Sequence, residues 1–476
     1  VIAGAVALPA QRPSTAATTV VTIAAARLAV VRFAVATLAL VAPAALFAVT
    51  PLAVAAPLSS LTTPDAAADT VAAPPFVVVA GDTLWLTPPV EVVGSRVPAS
   101  LPGLVRKVEV LDAEELERAP GLAVPSWLGS LPSVVPGQRQ RFGVQSDLTV
   151  RGSTFEQVQV LLDGYELSDP QTGHHLLNLP VAPADVARLE VLPGHGSALY
   201  GSGAFGGTVQ ITTRRPTVGA SGIVQALGGG DGTWSIGGEL DIPLAAAERP
   251  LERIGSARID RRAPLTAADG GAAGLRLSLE RFRTDGHEVE SPDGSREAAG
   301  NDADVWTATG RMIAVQDRGE ADLFVGWTRR SFGARDFYAP FPSWERTDVL
   351  LATARWRRDF GERWTLEPRL LLRRHDDEFV LVRDDPDRYR NDHRTRRASA
   401  ELRTRVELDG GQALAAGLEG GYEDLASSGV RGGATAAALG DRLRRRGALA
   451  VEWDRWPGWL RWHAGARLDL RSDFEP

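Results

Sequence analysis

Gly201-Ser-Gly203-Ala-Phe-Gly206 has the spacing GxGxxG, which in a dinucleotide site lets the backbone approach a pyrophosphate. That chemistry needs a strand before the first glycine and a helix opening on the last, whose N-terminus meets the phosphates. The residues after Gly206 are Gly-Thr-Val-Gln-Ile-Thr-Thr, β-branched and strand-like. The spacing therefore predicts tight turning and no cofactor cradle. His174-His175 is the next group with chemistry in it. The chain has seven histidines and no cysteine, and neither His-x3-His nor His-Glu-x2-His spacing occurs. The pair reads as part of a polar loop facing a ligand, with no metal assigned to it. The acidic runs Asp376-Asp-Glu378 and Asp384-Asp-Pro-Asp387 have the oxygens to hold Ca²⁺, but at strand ends they read first as solvated exterior loops. Lys107 is the only lysine, so no Gly-Lys-Ser/Thr exists and P-loop chemistry is excluded. No GxSxG elbow occurs either. No catalytic set and no cofactor emerge.

The elements around these residues are strands. From Leu148 to Thr213 the β-type runs VQVLL, ARLEVL and TVQITT are separated by glycine-dense loops. Upstream, Val108 and Val110 predict a strand, Ala113–Arg118 a brief helix and Ser126–Leu131 a second helical turn, with Pro136–Gly143 as a polar loop. Residues 105–216 together make an α+β unit of ordinary domain size.

After Pro216 the pattern changes. Ala398, Ala400, Leu402, Thr404, Val406 and Leu408 share one strand face, and Ser399, Glu401, Arg403, Arg405 and Glu407 the other. Leu460–Arg471 repeats this alternation, and Leu275–Leu279, Leu323–Trp327 and Leu449–Trp453 show it over shorter spans. Runs of about ten residues, apolar on one side and polar on the other, are the pattern of transmembrane β-strands around a wet lumen. Trp453, Trp456, Trp459 and Trp462 suit an interfacial aromatic girdle. The connections Ala245–Gly274 and Gly286–Asp302 are long and polar, while Asp317–Glu320 and Gly361–Arg363 are tight. Long loops on one side and tight turns on the other fit an outer-membrane barrel, with about eleven strands. Charged residues at alternate strand positions read as lumen lining and not as acid–base pairs.

At the other end, Arg27 and Arg32 precede the apolar run Phe33–Ala56, which closes on Ala53-Val54-Ala55. Basic flank, apolar core and small-residue exit predict a signal peptide, so residues 1–56 are taken as an N-terminal extension with that signal. Residues 57–81 read as linker, and 82–104 as short extended runs broken by Pro88 and Pro89. The net charge of −7 argues against a nucleic-acid partner.

These residues resemble the TonB-dependent outer-membrane receptors. Leu148-Thr-Val-Arg151-Gly152 is similar to the family's I-x-I-R-G strand, and Val160-Leu-Leu-Asp163-Gly164 to its V-L-x-D-G hairpin. Arg188-Leu-Glu190-Val191, followed by Gly194-His-Gly-Ser197-Ala-Leu-Tyr200-Gly201, resembles R-I-E-V-x-x-G-P-x-S-x-L-Y-G, with Pro193-Gly194 reversing the usual order. Ala204-Phe-Gly206-Gly207-Thr-Val-Gln-Ile-Thr212 is similar to the end of the family's plug, and Gly333–Glu345 to a loop of its barrels.

The resemblance implies an α+β plug domain at 105–216, followed at 217–476 by a transmembrane antiparallel β-barrel that is incomplete in this chain. Barrels of this family have about 22 strands, twice what these residues supply, so the sequence reads as truncated at its C-terminus. It further implies that 82–104 carries the box that pairs with a TonB-type periplasmic energy-coupling protein. Asp82-Thr83-Leu84-Trp85-Leu86 and Val90-Glu91-Val92-Val93 are both candidates. Exterior plug loops would bind ligand, here Gln138-Arg139-Gln140-Arg141-Phe142 and Ser168–His175, with Asp169, Gln171, Thr172, His174 and His175. The implied activity is energy-coupled uptake of a scarce bulky solute, a metal chelate such as a ferric siderophore, cobalamin or haem, across an outer membrane whose lipid surrounds the barrel. A surface or secreted β-rich binding or adhesion protein without transport is the competing reading.

Overall fold

Asp112 opens the first helix as the sequence chemistry dictates. Its carboxylate accepts Glu115 N at 2.9 Å while Glu115 Oε2 accepts Asp112 N at 2.9 Å, a reciprocal capping box. The helix covers Ala113–Arg118, and a second runs over Val124–Leu128, earlier than the Ser126–Leu131 expected, because Pro125 occupies its first turn. The computed structural model describes residues 76–79, 82–85, 106–119, 121–245, 264–265, 271–290, 294–338, 340–455, 460 and 462–473. The expected signal peptide lies outside these, as do Leu86, Val90, Glu91, Val92, Val93, Trp456 and Trp459. Strand β1 (Phe76–Val79) pairs antiparallel with β2 (Asp82–Trp85), so a segment expected to be linker is half of a hairpin.

The plug strands are β3 (Glu109–Leu111), β4 (Val134–Gln138), β5 (Ser146–Val150), β6 (Val158–Leu162), β7 (Tyr165–Glu166), β8 (Val186–Pro193) and β9 (Gly207–Thr213). Their main sheet has the order β3-β8-β9-β6-β7, in which only β6 and β9 run parallel. β4 and β5 pair by themselves, which corrects the reading of Pro136–Gly143 as loop throughout. Asp163 and Gly164, at φ 48° and 75°, make the two-residue turn between β6 and β7, the conformation for which Asp-Gly is favoured. Leu148, Val160, Leu189, Val191, Val209 and Ile211 are fully buried between the layers, each worth about 1.5–3 kcal/mol of transfer free energy. Phe324, Leu351 and Leu371 join this cluster from the second domain, so plug and barrel wall share one core.

The barrel strands are β10 (Ser221–Gly228), β11 (Trp234–Ala245), β12 (Ala273–Thr284), β15 (Ala303–Gln316), β16 (Gly319–Gly333), β17 (Trp344–Phe360), β18 (Trp364–Val380), β19 (Tyr389–Leu408), β20 (Gln412–Arg431), β22 (Arg442–Arg455) and β23 (Trp462–Arg471). Small hairpin pieces β13 (Glu288–Glu290), β14 (Arg296–Ala298) and β21 (Ala434–Ala437) decorate the loops. The sheet is an antiparallel meander whose path runs from β10 to β23, and with β21 it counts twelve strands. The predicted faces hold. Leu402, Leu418, Leu468 and Leu470 point outward and exposed, while Arg373, Arg397, Arg403 and Arg467 turn into the lumen.

One loop expectation is corrected. Consecutive connections of a meander lie at opposite ends, so the long connection after β11 shares an end with the tight turns after β15 and β17. Within it Leu265 is buried, and its N donates to Pro216 O at 2.8 Å. The connections 285–302, 334–343, 381–388 and 432–441 crowd the other end.

Candidate functional site

Carboxylates of the plug meet arginines of the barrel wall. Asp185 accepts Arg276 Nε at 2.8 Å, and the same guanidinium reaches Glu239 and donates from Nη1 to Asp241 at 2.9 Å. Glu166 pairs with Arg397 and with Arg446 at 2.7 Å. Asp169 accepts Arg373 Nη1 at 2.7 Å and Thr395 Oγ1 at 2.9 Å, and lies 2.8 Å from His375 Nδ1. Asp163 ties its own turn to β9 through Thr213 N at 2.9 Å and Thr213 Oγ1 at 2.7 Å, with Arg311 standing 3.6 Å away. Such buried pairs add little net stability over apolar packing, but breaking one partner is costly. They fix where the plug sits.

Burial alone would raise the carboxyl of Glu166, but Arg397 and Arg446 hold it well below the usual range. Burial is overcome at Asp169 in the same way, by Arg373 and His375. Both groups therefore stabilise the seated plug above the unfolded carboxylate value of about 4, and that contribution is lost as pH falls through their depressed values. The expected result is a melting temperature in detergent that holds from neutral pH down to about 5 and drops below about 4. Asp169→Asn should melt lower than the parent at neutral pH and show a shallower acid limb. Equal melting at neutral pH would remove this latch.

At the end with the long connections, the two predicted loops come together. His174 Nδ1 lies 2.8 Å from Asp147 Oδ1, and its ring stacks on Phe155 with centroids 4.5 Å apart. Arg139 holds the other Asp147 oxygen at 2.9 Å and donates to Phe337 O at 2.8 Å. Burial pulls the Asp147 carboxyl upward, but His174 and Arg139 outweigh it and keep it low. Gln145 Nε2 donates to the Tyr338 hydroxyl at 2.7 Å, and burial pushes that phenol up. Gln140 is buried and donates to Asp302 O, and Phe142, at φ 61°, sets its ring 5.1 Å from Phe282. Arg141 faces Asp231 at 3.9 Å. Gln138 Nε2 donates to Ser126 Oγ at 3.3 Å, on the flank of this group. Thr172 caps the turn Gly173–His175, and Gln171 N donates to Asp169 Oδ1 at 2.9 Å. His175 does not sit in an open loop. It is buried against Glu345 and Asp377.

The architecture matches known proteins. The family model described as TonB-dependent Receptor Plug Domain matches residues 103–208. That stretch sits against a barrel-type sheet whose polar face it fills. Residues 103–208 are thus a TonB-dependent receptor plug domain, and the strands that follow form a barrel-type sheet. The chain is similar to the vitamin B12 transporter BtuB of Photobacterium profundum, 27% identical over 152 residues, which are 31% of this chain and 24% of that protein. BtuB of Vibrio cholerae is 30% identical over 126 residues, 26% of this chain and 20% of its own. The chain thus spans about a quarter of the length of these curated relatives. Among solved structures, the siderophore receptor PirA of Pseudomonas aeruginosa superposes with TM-score 0.51 at 21% identity, over 77% of this chain and 56% of that one. The copper transporter OprC gives 0.59 at 14% identity, over 76% and 54%.

The glycine signature of the plug is structural. Gly201 (φ 90°) ends the short helix Ser197–Tyr200, Gly194 has φ 91°, and β9 begins at Gly207, so no helix N-terminus faces a phosphate. Arg151 and Gly152 turn the chain out of β5 at φ 51° and 75°. Arg188 pairs with the buried Glu190 at 2.5 Å. A Cβ on Gly206 would stand 2.4 Å from Ser153 Cβ, a contact that no rotamer change relieves. Gly206→Ala should cost about 1–3 kcal/mol in unfolding experiments and leave no dinucleotide affinity to lose.

Sequence reasoning treated Asp376–Glu378 as one exterior acidic patch, and the structure divides it. Asp376 and Glu378 face outward to Arg374, Arg394 and Arg346, while Asp377 is buried in the lumen beside His175. Strand alternation was the signal that separates them. Asp384, Asp385 and Asp387 remain on an exposed loop. Glu345 and Tyr338 were missed as site residues although both lie in the loop Gly333–Glu345 singled out for its resemblance.

Proposed function

We propose that this receptor works in the outer membrane of a Gram-negative bacterium, taking up a scarce bulky solute of the ferric-siderophore, cobalamin or haem class. Its energy comes from a TonB-type protein in the periplasm. The observation that carries the reading is a plug fixed inside a transmembrane-type sheet by buried charge pairs, beneath a polar and aromatic group at the long-loop end. A solute held by Arg139, Gln145, His174 and Tyr338 would bear on the same plug loops that end at the Asp169 latch. The segment 82–104, ahead of the plug, supplies the box on which the partner pulls. The test is membrane fractionation of the expressed protein with heat-modifiable mobility in detergent, followed by uptake of labelled cobalamin and ferric siderophores. Outer-membrane location with energy-dependent uptake of one probe is expected. A soluble or secreted product without uptake would instead favour a β-rich surface binding protein.

A further inference from the structure

His175, Glu345 and Asp377 come from the plug, β17 and β18, and their ligand atoms all lie within 4.8 Å of one another. His175 Nε2 is 3.8 Å from Glu345 Oε1 and 3.6 Å from Asp377 Oδ2, and all three side chains are buried, at 5%, 2% and 7% exposure. Those separations are too long for hydrogen bonds. They are close to the roughly 3.4 Å that separates tetrahedral ligands at metal bonds of about 2.1 Å. We propose that these three side chains hold a divalent first-row transition metal, of the class that accepts imidazole and carboxylate together, and that the ion ties plug to barrel wall.

A second observation points the same way. Neither oxygen of Glu345 accepts a hydrogen bond, and Asp377 Oδ1 has none, although both residues are more than nine-tenths buried. Two buried carboxylates without donors are costly unless paired or bound to metal. A single proton on His175 offsets one negative charge, whereas a divalent cation offsets both. Room for a further ligand exists. A cavity large enough for one water molecule adjoins His175, lined also by Gln145, Asn178 and Thr347. The side-chain carbonyls of Gln145 and Asn178 are buried there without a donor. Around the ligands, the His375 ring packs edge-on to His175 at 4.8 Å, and its Nδ1 lies 2.8 Å from Asp169. One imidazole with carboxylate oxygens suits Zn²⁺, with Mn²⁺ and Fe²⁺ in the same class and thiophilic ions disfavoured.

The chain, purified in detergent and stripped with chelator, should bind one Zn²⁺, and Co²⁺ in its place should give the visible absorption of a low-coordinate N/O site. Glu345→Gln and Asp377→Asn should each weaken Zn²⁺ binding at least tenfold, while the exposed His195→Ala leaves it unchanged. Heat-modifiable mobility reports whether each variant folds. Should both fail to fold, X-ray absorption of the Zn²⁺-loaded parent still decides, since one nitrogen and at least two oxygen ligands are expected. No stoichiometric Zn²⁺, or binding indifferent to both substitutions, would overturn the site. The proposal stands apart from uptake: Zn²⁺ binding without solute transport removes the transport reading alone, and transport without Zn²⁺ binding removes this site alone.

Discussion

Arg276→Ala lowers the unfolding free energy of the seated plug by about 3–5 kcal/mol, the cost of stripping one partner from a buried charge group. The reason lies in what remains. Arg276 is 6% exposed and serves Asp185 of the plug together with Glu239 and Asp241 of β11. Asp185 is also held by the hydroxyls of Ser278 and Thr309, so it cannot swing out to water when the guanidinium goes. Like charges then face one another in a buried site, and relief comes by protonation or by displacement of the plug. Arg276→Lys restores the charge but as one point, without the fork that reaches separate carboxylates, and should recover only part of the loss. The exposed pair Arg329–Asp348 supplies the contrast, since Arg329 is 54% exposed. Arg329→Ala should change stability by less than about 1 kcal/mol. Denaturant unfolding in detergent measures both, and hydrogen exchange over Pro183–Pro193 locates the loosening. An Arg276→Ala protein as stable as Arg329→Ala would mean that the charge group does not hold the plug.

Most of the architecture was readable because its cues are local. The helix Ala113–Arg118 follows from Asp112 and Glu115 three residues apart, and β6, β8 and β9 from β-branched runs bounded by glycine. The lipid and lumen faces of β19 and β23 follow from strict alternation. β4 was hidden because it holds Pro136 and Gly137, which read as turn residues although an unshared edge tolerates them. The site was legible only in part for a different reason. The loops that carry Arg139 and His174 could be singled out by resemblance, but His175, Glu345 and Asp377 meet only once the sheet has curved around the plug. No spacing within a single strand or loop records that meeting, and in the sequence Asp377 is hidden between two outward-facing acids.

Deleting Asp82–Val93 should abolish energy-coupled uptake while leaving solute binding at the cell surface intact. The segment lies ahead of the plug, and the contacts that shape the long-loop end come from residues 139 to 389, so under the proposed function its loss removes the handle and not the pocket. Its chemistry suits strand addition, in which a short extended segment joins the edge of a partner's sheet through backbone hydrogen bonds. Asp82–Trp85 already pairs with Phe76–Val79, and an isolated two-stranded hairpin is marginal in water, so this pairing is readily exchanged for a larger sheet. Proline substitutions separate the two candidate runs, because each removes a backbone N–H that strand addition needs. If the first run is the box, Leu84→Pro should reduce uptake to background and Val92→Pro should not; if the second, the reverse. Binding of labelled solute to intact cells must stay within about twofold of the parent in either case, since no binding contact is touched. Undiminished uptake in the deletion would show that the force reaches the plug by another route, and the charge latches at Glu166, Asp169 and Asp185 would then have to release on solute binding alone.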